Sequence, residues 1–214
     1  MIMRATSHAV ILAMVREERA SLADLADGLT DTHWEQPSLC ALWRVRDVVA
    51  HVLSYDDLSA LGWARRYVVD AKCSIDRFNQ IGVDHYADTS NVELTALLRN
   101  RTNPRGYMAA FPRIGLLDAM IHHQDIRRAI DMPRAIPEHR LRAALAASLR
   151  TPLTRGAWRA RRLRLIAEDV HWSFGTGHTV VAPGESLLMA VAGRLDALAE
   201  IQGDGADVFR GRFR

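Results

Sequence analysis

Asp118, His122 and Asp125 lie within one stretch, IGLLDAMIHHQDIRRAI (residues 114–130), and are of the residue types that ligate metal ions. Spaced three and four apart, they fall on one narrow stripe if the stretch is helical. Ile114, Ile121 and Ile126 flank that stripe. A carboxylate and an imidazole buried in an apolar face need a partner. A metal ion would serve, and so would an ordinary core hydrogen bond, which is the plainer reading. A third ligand from elsewhere in the chain decides between them. His123 is turned by about 100° from His122 toward Arg127, which predicts that it faces outward.

The elements that must position these residues read as helices. Val10, Ile11, Met14, Leu22, Leu25 and Leu29 recur at helical spacing and predict a long first helix over 7–29. Thr30-Asp31-Thr32 follows as a cap for a short turn. A second long helix is expected over 45–69, with Val45, Val48, Val49, Val52 and Leu53 on a broad apolar arc and His51 at its edge. Asp47 or Tyr55, one turn away on either side, would satisfy that imidazole. Residues 72–91 read as a loop and 92–101 as a short helix, and the stretch holding His122 is a third long helix. A fourth opens at Pro137 with Leu141, Leu145 and Leu149 on one stripe. Beyond it the pattern changes. Leu163, Leu165 and Ala167 alternate with Arg164, Ile166 and Glu168, and with Thr179-Val180-Val181-Ala182 they predict two strands of a hairpin around a glycine-containing turn. Helices are expected over 185–193 and 195–201. The layout is mainly α, an all-α bundle over 1–150 and a small α+β domain over 151–214.

Composition excludes several function classes. Of 214 residues nearly half are hydrophobic, and Lys and Arg exceed Asp and Glu by 28 to 25, the balance of a soluble globular protein. No apolar run approaches the roughly 20 residues that span a bilayer, and Arg16, Glu17, Glu18 and Arg19 follow the amino-terminal apolar patch where a signal peptide needs small residues. A cytoplasmic protein is expected, with Cys40 and Cys73 as reduced thiols. Cys40, among leucines and tryptophan, reads as structural. The basic run RGAWRARRLR (155–164) lacks the glycines and aromatics of a nucleic-acid platform and reads as a solvated face.

A bundle brings side chains of separate helices together. One His from the second helix with the Asp and His of the third would make three protein ligands and leave a position open, as catalytic sites do. Two imidazoles and a carboxylate suit a divalent ion, zinc first.

The segment LCALWRVRDVVAH (39–51) resembles the Cys-x-x-Trp-x-Val-x-Asp-Val-x-x-His signature of the mycothiol-dependent maleylpyruvate isomerase family, DinB-like metal-binding four-helix bundles. The segment from Asp118 to Arg128 is similar to that family's Glu-x-x-x-His-x-x-Asp signature, and stretches at Asp169–Gly177 and Gly193–Gly205 resemble its carboxy-terminal motifs. The resemblance implies a DinB-like up-and-down four-helix bundle with His51, Asp118 and His122 as metal ligands. Asp118 stands where the family commonly has Glu, shorter by about 1.5 Å of reach. Asp125 becomes a support for the site or a substrate contact, Asp47 a partner for the other His51 nitrogen, and Arg194 a holder of a substrate or thiol carboxylate, unless it pairs at the surface with Asp196 or Glu200. Arg194 and Asp125 are the catalytic candidates. Tyr55 is either a proton donor near the metal or a core phenol.

The activity implied is addition of a low-molecular-weight thiol, mycothiol, to a small electrophile. Expulsion of the thiol after bond rotation gives an isomerase, acting for example on maleylpyruvate; retention of the adduct gives an S-transferase of the detoxification kind. The other class open to the chain is a non-catalytic metal- or ligand-binding stress-response module. Partners are then small molecules, with neither nucleic acid nor membrane, and the protein is a monomer or homodimer.

Overall fold

The computed structural model describes residues 7–213; residues 1–6, which the reading of the amino terminus included, lie outside the described residues. The chain divides into two compact units, one up to Pro133 and one from Arg134.

The first unit opens with α1 (His8–Asp27), capped by the Ser7 side chain, and continues with the short α2 (Asp31–Glu35), where Thr30 forms a capping box with His33. Next come α3 (Val45–Ser54), α4 (Ala60–Arg65) running into a π-helical turn (Arg66–Asp70), α5 (Ile75–Asp84), α6 (Asn91–Asn100), α7 (Gly106–Ala110) and α8 (Pro112–Ala129). α1 packs on α8 and α6, while α3 packs on α8, α6 and α5. Leu22, Val48, Leu94 and Ile126, one from each of α1, α3, α6 and α8, meet in one buried cluster. These four helices form the bundle. Among the described residues no helix is long and apolar enough to cross a membrane.

Three expectations change here. The single helix over 45–69 is broken after Ser54, because Asp56 is drawn out of helical register into a buried pair with Arg19 and Ser59 caps a new helix at Gly62 N. The loop over 72–91 contains α5, started by the Ser74 cap and buried through Phe78, Gly82 and Val83. The fourth helix packed into this cluster is α6, and the helix opened by Pro137 falls in the second compact unit, beyond the division at Pro133.

The second unit contains α9 (Glu138–Ser148), α10 (Gly156–Arg159), β1 (Leu163–Ala167), β2 (Trp172–Gly175), β3 (His178–Ala182), α11 (Gly184–Ala192), a 3-10 turn (Asp196–Glu200) and α12 (Ala206–Arg210). The sheet order is β2-β1-β3, with β1 antiparallel to β2 and parallel to β3. Leu165 thus sits opposite both Phe174 and Val180. The expected hairpin between the Leu163 and Thr179 runs is therefore a parallel pair, and the glycine turn joins the two outer strands, at Gly175 and Gly177 with φ of 81° and 121°. Burial of Leu163, Leu165 and Ala167 follows the alternation read from the sequence.

A charged pair and a Glu–His hydrogen bond pin α1 inside the first unit. Arg19 meets Asp56 at 2.5 Å with both side chains almost wholly buried, and also donates to Arg101 O at 3.1 Å. Asp56 accepts the Arg105 N–H at 3.1 Å as well. Glu18 and His123 meet at 2.9 Å, both fully buried. Removing Asp56 would leave the buried Arg19 charge without its carboxylate. Asp56→Ala is expected to lower stability by about 3–5 kcal/mol, read as a drop in the urea midpoint, against a change under about 1 kcal/mol for the exposed Asp24→Ala.

Candidate metal centre

α3 and α8 bring the predicted residues together. His51, on α3, is 2% exposed, and its ring centroid lies 4.6 Å from that of His122 on α8, nearly edge to face. Asp118 Oδ1 is 3.6 Å from His51 Nε2 and 3.6 Å from His122 Nε2. One carboxylate oxygen thus faces both imidazole nitrogens, and the shorter aspartate reaches them. These three donor atoms all lie within 4.8 Å of one another.

The walls are aromatic. Trp43 leans on His51 at 4.8 Å between centroids and lies 6.5 Å from His122, with its indole N–H held by Gln80 Oε1 at 3.0 Å. Tyr55 presents an edge to His51 at 5.2 Å and donates its hydroxyl to Asn79 Oδ1 at 2.9 Å, which makes it a core phenol with its proton engaged. Trp43 reaches inward because the preceding Leu42 takes a left-handed φ of 72° while its own side chain is wholly exposed. Such a conformation costs a non-glycine residue roughly 1–2 kcal/mol, offset by the interactions of its neighbours.

Behind His122 the arrangement is different. Its Nδ1 lies 2.9 Å from Asp125 Oδ2, and the Cys40 thiol donates to the same oxygen at 3.0 Å. Asp125 is fully buried, and its backbone carbonyl accepts the Leu39 N–H at 3.2 Å. Cys40, weighed from the sequence as a nucleophile or a structural thiol and read as structural, makes contact with α8 here.

Two expectations are corrected. His123 is not outward-facing. It is fully buried against Glu18 Oε1, and its Nε2 accepts from Arg127 Nε at 2.8 Å. A visible sign was Glu18 itself, four residues from both Met14 and Leu22 on the buried face of α1. Asp47 does not reach His51. It occupies the third position of α3 and accepts from the Arg44 backbone N–H at 2.9 Å and from the Arg44 guanidinium, so it serves as a helix cap. Arg194 lies in the second unit, half-buried just after the α11 cap at Gly193.

The two imidazoles are biased in opposite directions. Burial holds His51 below the usual imidazole range, against the pull of Asp118 and with the aid of the neighbouring His122 charge. Burial also acts to lower His122, but the Cys40 sulfur and the Asp125 carboxylate, with Asp118, outweigh it and hold that ring well above its ordinary value. Asp118 is pushed up by burial, yet the two histidines win and keep it below the usual carboxylate range. Burial, then Asp118, raises the Tyr55 phenol far out of the physiological range.

A divalent ion fits this set. His51 is almost fully buried and makes no hydrogen bond: Nδ1 has no partner among the described residues, and the nearest contact of Nε2 is the 3.6 Å approach to Asp118. A buried imidazole in that state is costly unless something takes its lone pair. Donors of a tetrahedral ion with bonds near 2.0–2.1 Å stand about 3.3–3.4 Å apart, close to the 3.6 Å spacings here.

The first unit is a helical bundle that gathers two imidazoles and one carboxylate between two of its helices. Residues 15–105 match the family model described as the mycothiol maleylpyruvate isomerase N-terminal domain. The match contains Cys40, Trp43 and His51 and ends before Asp118, so the α8 residues rest on the geometry. The fold is also that of two solved structures, a crystal structure of the mycothiol-dependent maleylpyruvate isomerase and one of a histidine-to-alanine mutant of it. Each is 14% identical over 94% of both chains, with TM-scores of 0.60 and 0.61. No curated protein matches the sequence.

In protein stripped of divalent ions, an NMR titration should separate the two rings, His51 titrating below and His122 above about 6.5. The sign for stability follows. The His122 contribution is full below about 6.5 and is lost as the pH rises through its raised value, while protonation of the unfolded chain at His51 costs stability as the pH falls below about 6.5. His122→Asn should remove the first dependence and leave the second, as read from thermal midpoints across pH.

Proposed function

We propose that this protein is a metal-dependent enzyme that uses a low-molecular-weight thiol, mycothiol, on a small electrophile, with isomerisation of a maleylpyruvate-like acid as the reading and S-transfer as its variant. His51, Asp118 and His122 would hold the ion, zinc by the donor set. The observation that carries this is the single Asp118 oxygen placed 3.6 Å from each of two imidazole nitrogens, one of them on a ring without a hydrogen bond. The family match over residues 15–105 supports the thiol.

The ion would supply the Lewis acidity that turns a thiol into a thiolate at neutral pH. Everything else falls to the chain. His51 is kept neutral by burial, the state in which an imidazole can ligate. Trp43 and Tyr55 close the apolar side of the site and exclude water there. Asp125, fully buried behind the ring, takes the Nδ1 proton of His122 and leaves Nε2 directed at Asp118, so support of the ring is its role rather than contact with substrate. Arg194, in the second unit, remains the candidate for a carboxylate, on the resemblance and on the fit of a guanidinium fork to that group.

Metal analysis of the purified protein should find about one divalent ion per chain, lost in His51→Ala and in His122→Ala; equal metal content in all three would sink the site. Thiol-dependent conversion of a cis-configured dicarbonyl acid, followed optically, should fall by at least about 100-fold in either variant. Retained metal with no turnover on any thiol and electrophile pair would leave a metal-binding module instead.

A further inference from the structure

We propose that Cys40 is a positioning residue for His122, holding its ring from behind through Asp125. Three heteroatoms form a closed triangle there. Cys40 Sγ lies 3.0 Å from Asp125 Oδ2, Asp125 Oδ2 lies 2.9 Å from His122 Nδ1, and Sγ lies 3.5 Å from Nδ1. Asp125 Oδ2 accepts a hydrogen bond from the thiol and one from the His122 Nδ1–H. An imidazole whose Nδ1 proton is engaged in this way presents its lone pair at Nε2, the nitrogen that faces Asp118 at 3.6 Å.

A carboxylate alone fixes such a ring poorly, since rotation about its own side chain swings the acceptor. The loop before α3 prevents that from two sides. Leu39 N–H binds the Asp125 carbonyl at 3.2 Å, and the Cys40 thiol binds the Asp125 side chain. The loop is itself cross-braced by hydrogen bonds. The Ser38 hydroxyl donates to Trp43 O at 2.9 Å and accepts from Cys40 N at 3.1 Å, and Pro37 pairs with Arg44 across it. The left-handed, fully exposed Leu42 fits this account, because its backbone conformation serves its neighbours: Cys40 grips α8 on one side and Trp43 covers the two rings on the other. The same short loop therefore sets both the orientation of His122 and the wall beside it. Cys40 acts through His122 and does not itself contact the proposed ion.

This inference rests on the metal-site reading for one of its two readouts only. The first is metal affinity, by competition with a chromogenic chelator. Cys40→Ala should weaken zinc binding about 10–100-fold, as loss of a group that orients a ligand does. Cys40→Ser keeps a donor and should stay close to wild type. The second needs no metal: the His122 Nδ1–H resonance, slow to exchange when held by Asp125, should be visible in stripped wild type and Cys40→Ser and lost in Cys40→Ala. Unchanged affinity together with an unchanged resonance in Cys40→Ala would overturn the proposal. So would a sulfur-to-cobalt charge-transfer band in the cobalt-loaded wild type that vanishes in Cys40→Ser, since it would make Cys40 a ligand. If wild type and His51→Ala alike take up no metal, the site reading fails on its own and the resonance still decides the role of Cys40.

Discussion

A polar side chain deprived of water must find a partner, and that requirement organises the interior of the first unit. Around α8 the requirement is met in two directions. Toward α3 lie Asp118 and His122, with Asp125 behind; toward α1 lies His123, paired with Glu18 and backed by Arg127. Arg19, next to Glu18 on α1, satisfies a separate buried carboxylate at Asp56. α1, α3 and α8 are thus held in register by specific polar interactions as well as by apolar packing. Exchange of one of these groups for an apolar residue removes the partner of another, and the unpaired burial of that second group outweighs any improvement in packing at the exchanged position.

His51 is the exception that gives the site its meaning. Both His122 and His123 have a carboxylate within hydrogen-bonding distance, 2.9 Å for His122 and 2.9 Å for His123. His51 has only the 3.6 Å approach to Asp118 and an orphaned Nδ1. The aromatic rings of Trp43 and Tyr55 bring it dispersion and shape, and neither takes its lone pair. The neighbouring histidines are hydrogen-bonded and this one is left unbonded, facing a carboxylate shared with a second imidazole, which is the observation behind the proposed metal site.

The opposed biases of the two rings belong to the same design. The one buried among aromatics is pushed toward its neutral form, and the one backed by Asp125 and Cys40 is pushed toward its charged form. Of the two rings, His122 is thus the one biased toward a positive charge, with two carboxylates flanking it. A divalent cation seated between Asp118 and the two rings would replace that proton as the local positive charge.

Much of this was legible in the residues. The helical spacing of Asp118, His122 and Asp125, the position of His51 on an apolar arc and the signature that joins it to Cys40 and Trp43 were sufficient to select His51, Asp118 and His122, one of two groups of potential ligands within 4.8 Å among the described residues, the other being Cys40, His122 and Asp125. Local chemistry sets such things, because a helix face and a cap depend on neighbours within a turn or two. What faces what across helices depends on partners far along the chain. His123 looked solvated until Glu18, 105 residues earlier, was placed against it; Asp47 looked like a partner for His51 until its own helix terminus claimed it; Cys40 looked like filler until α8 came alongside. The break at Tyr55, the burial of α5 and the parallel pairing of β1 with β3 are decisions of the same kind. In each, a long-range interaction outweighs the local preference it overrides, and that balance exists only once the chain has folded.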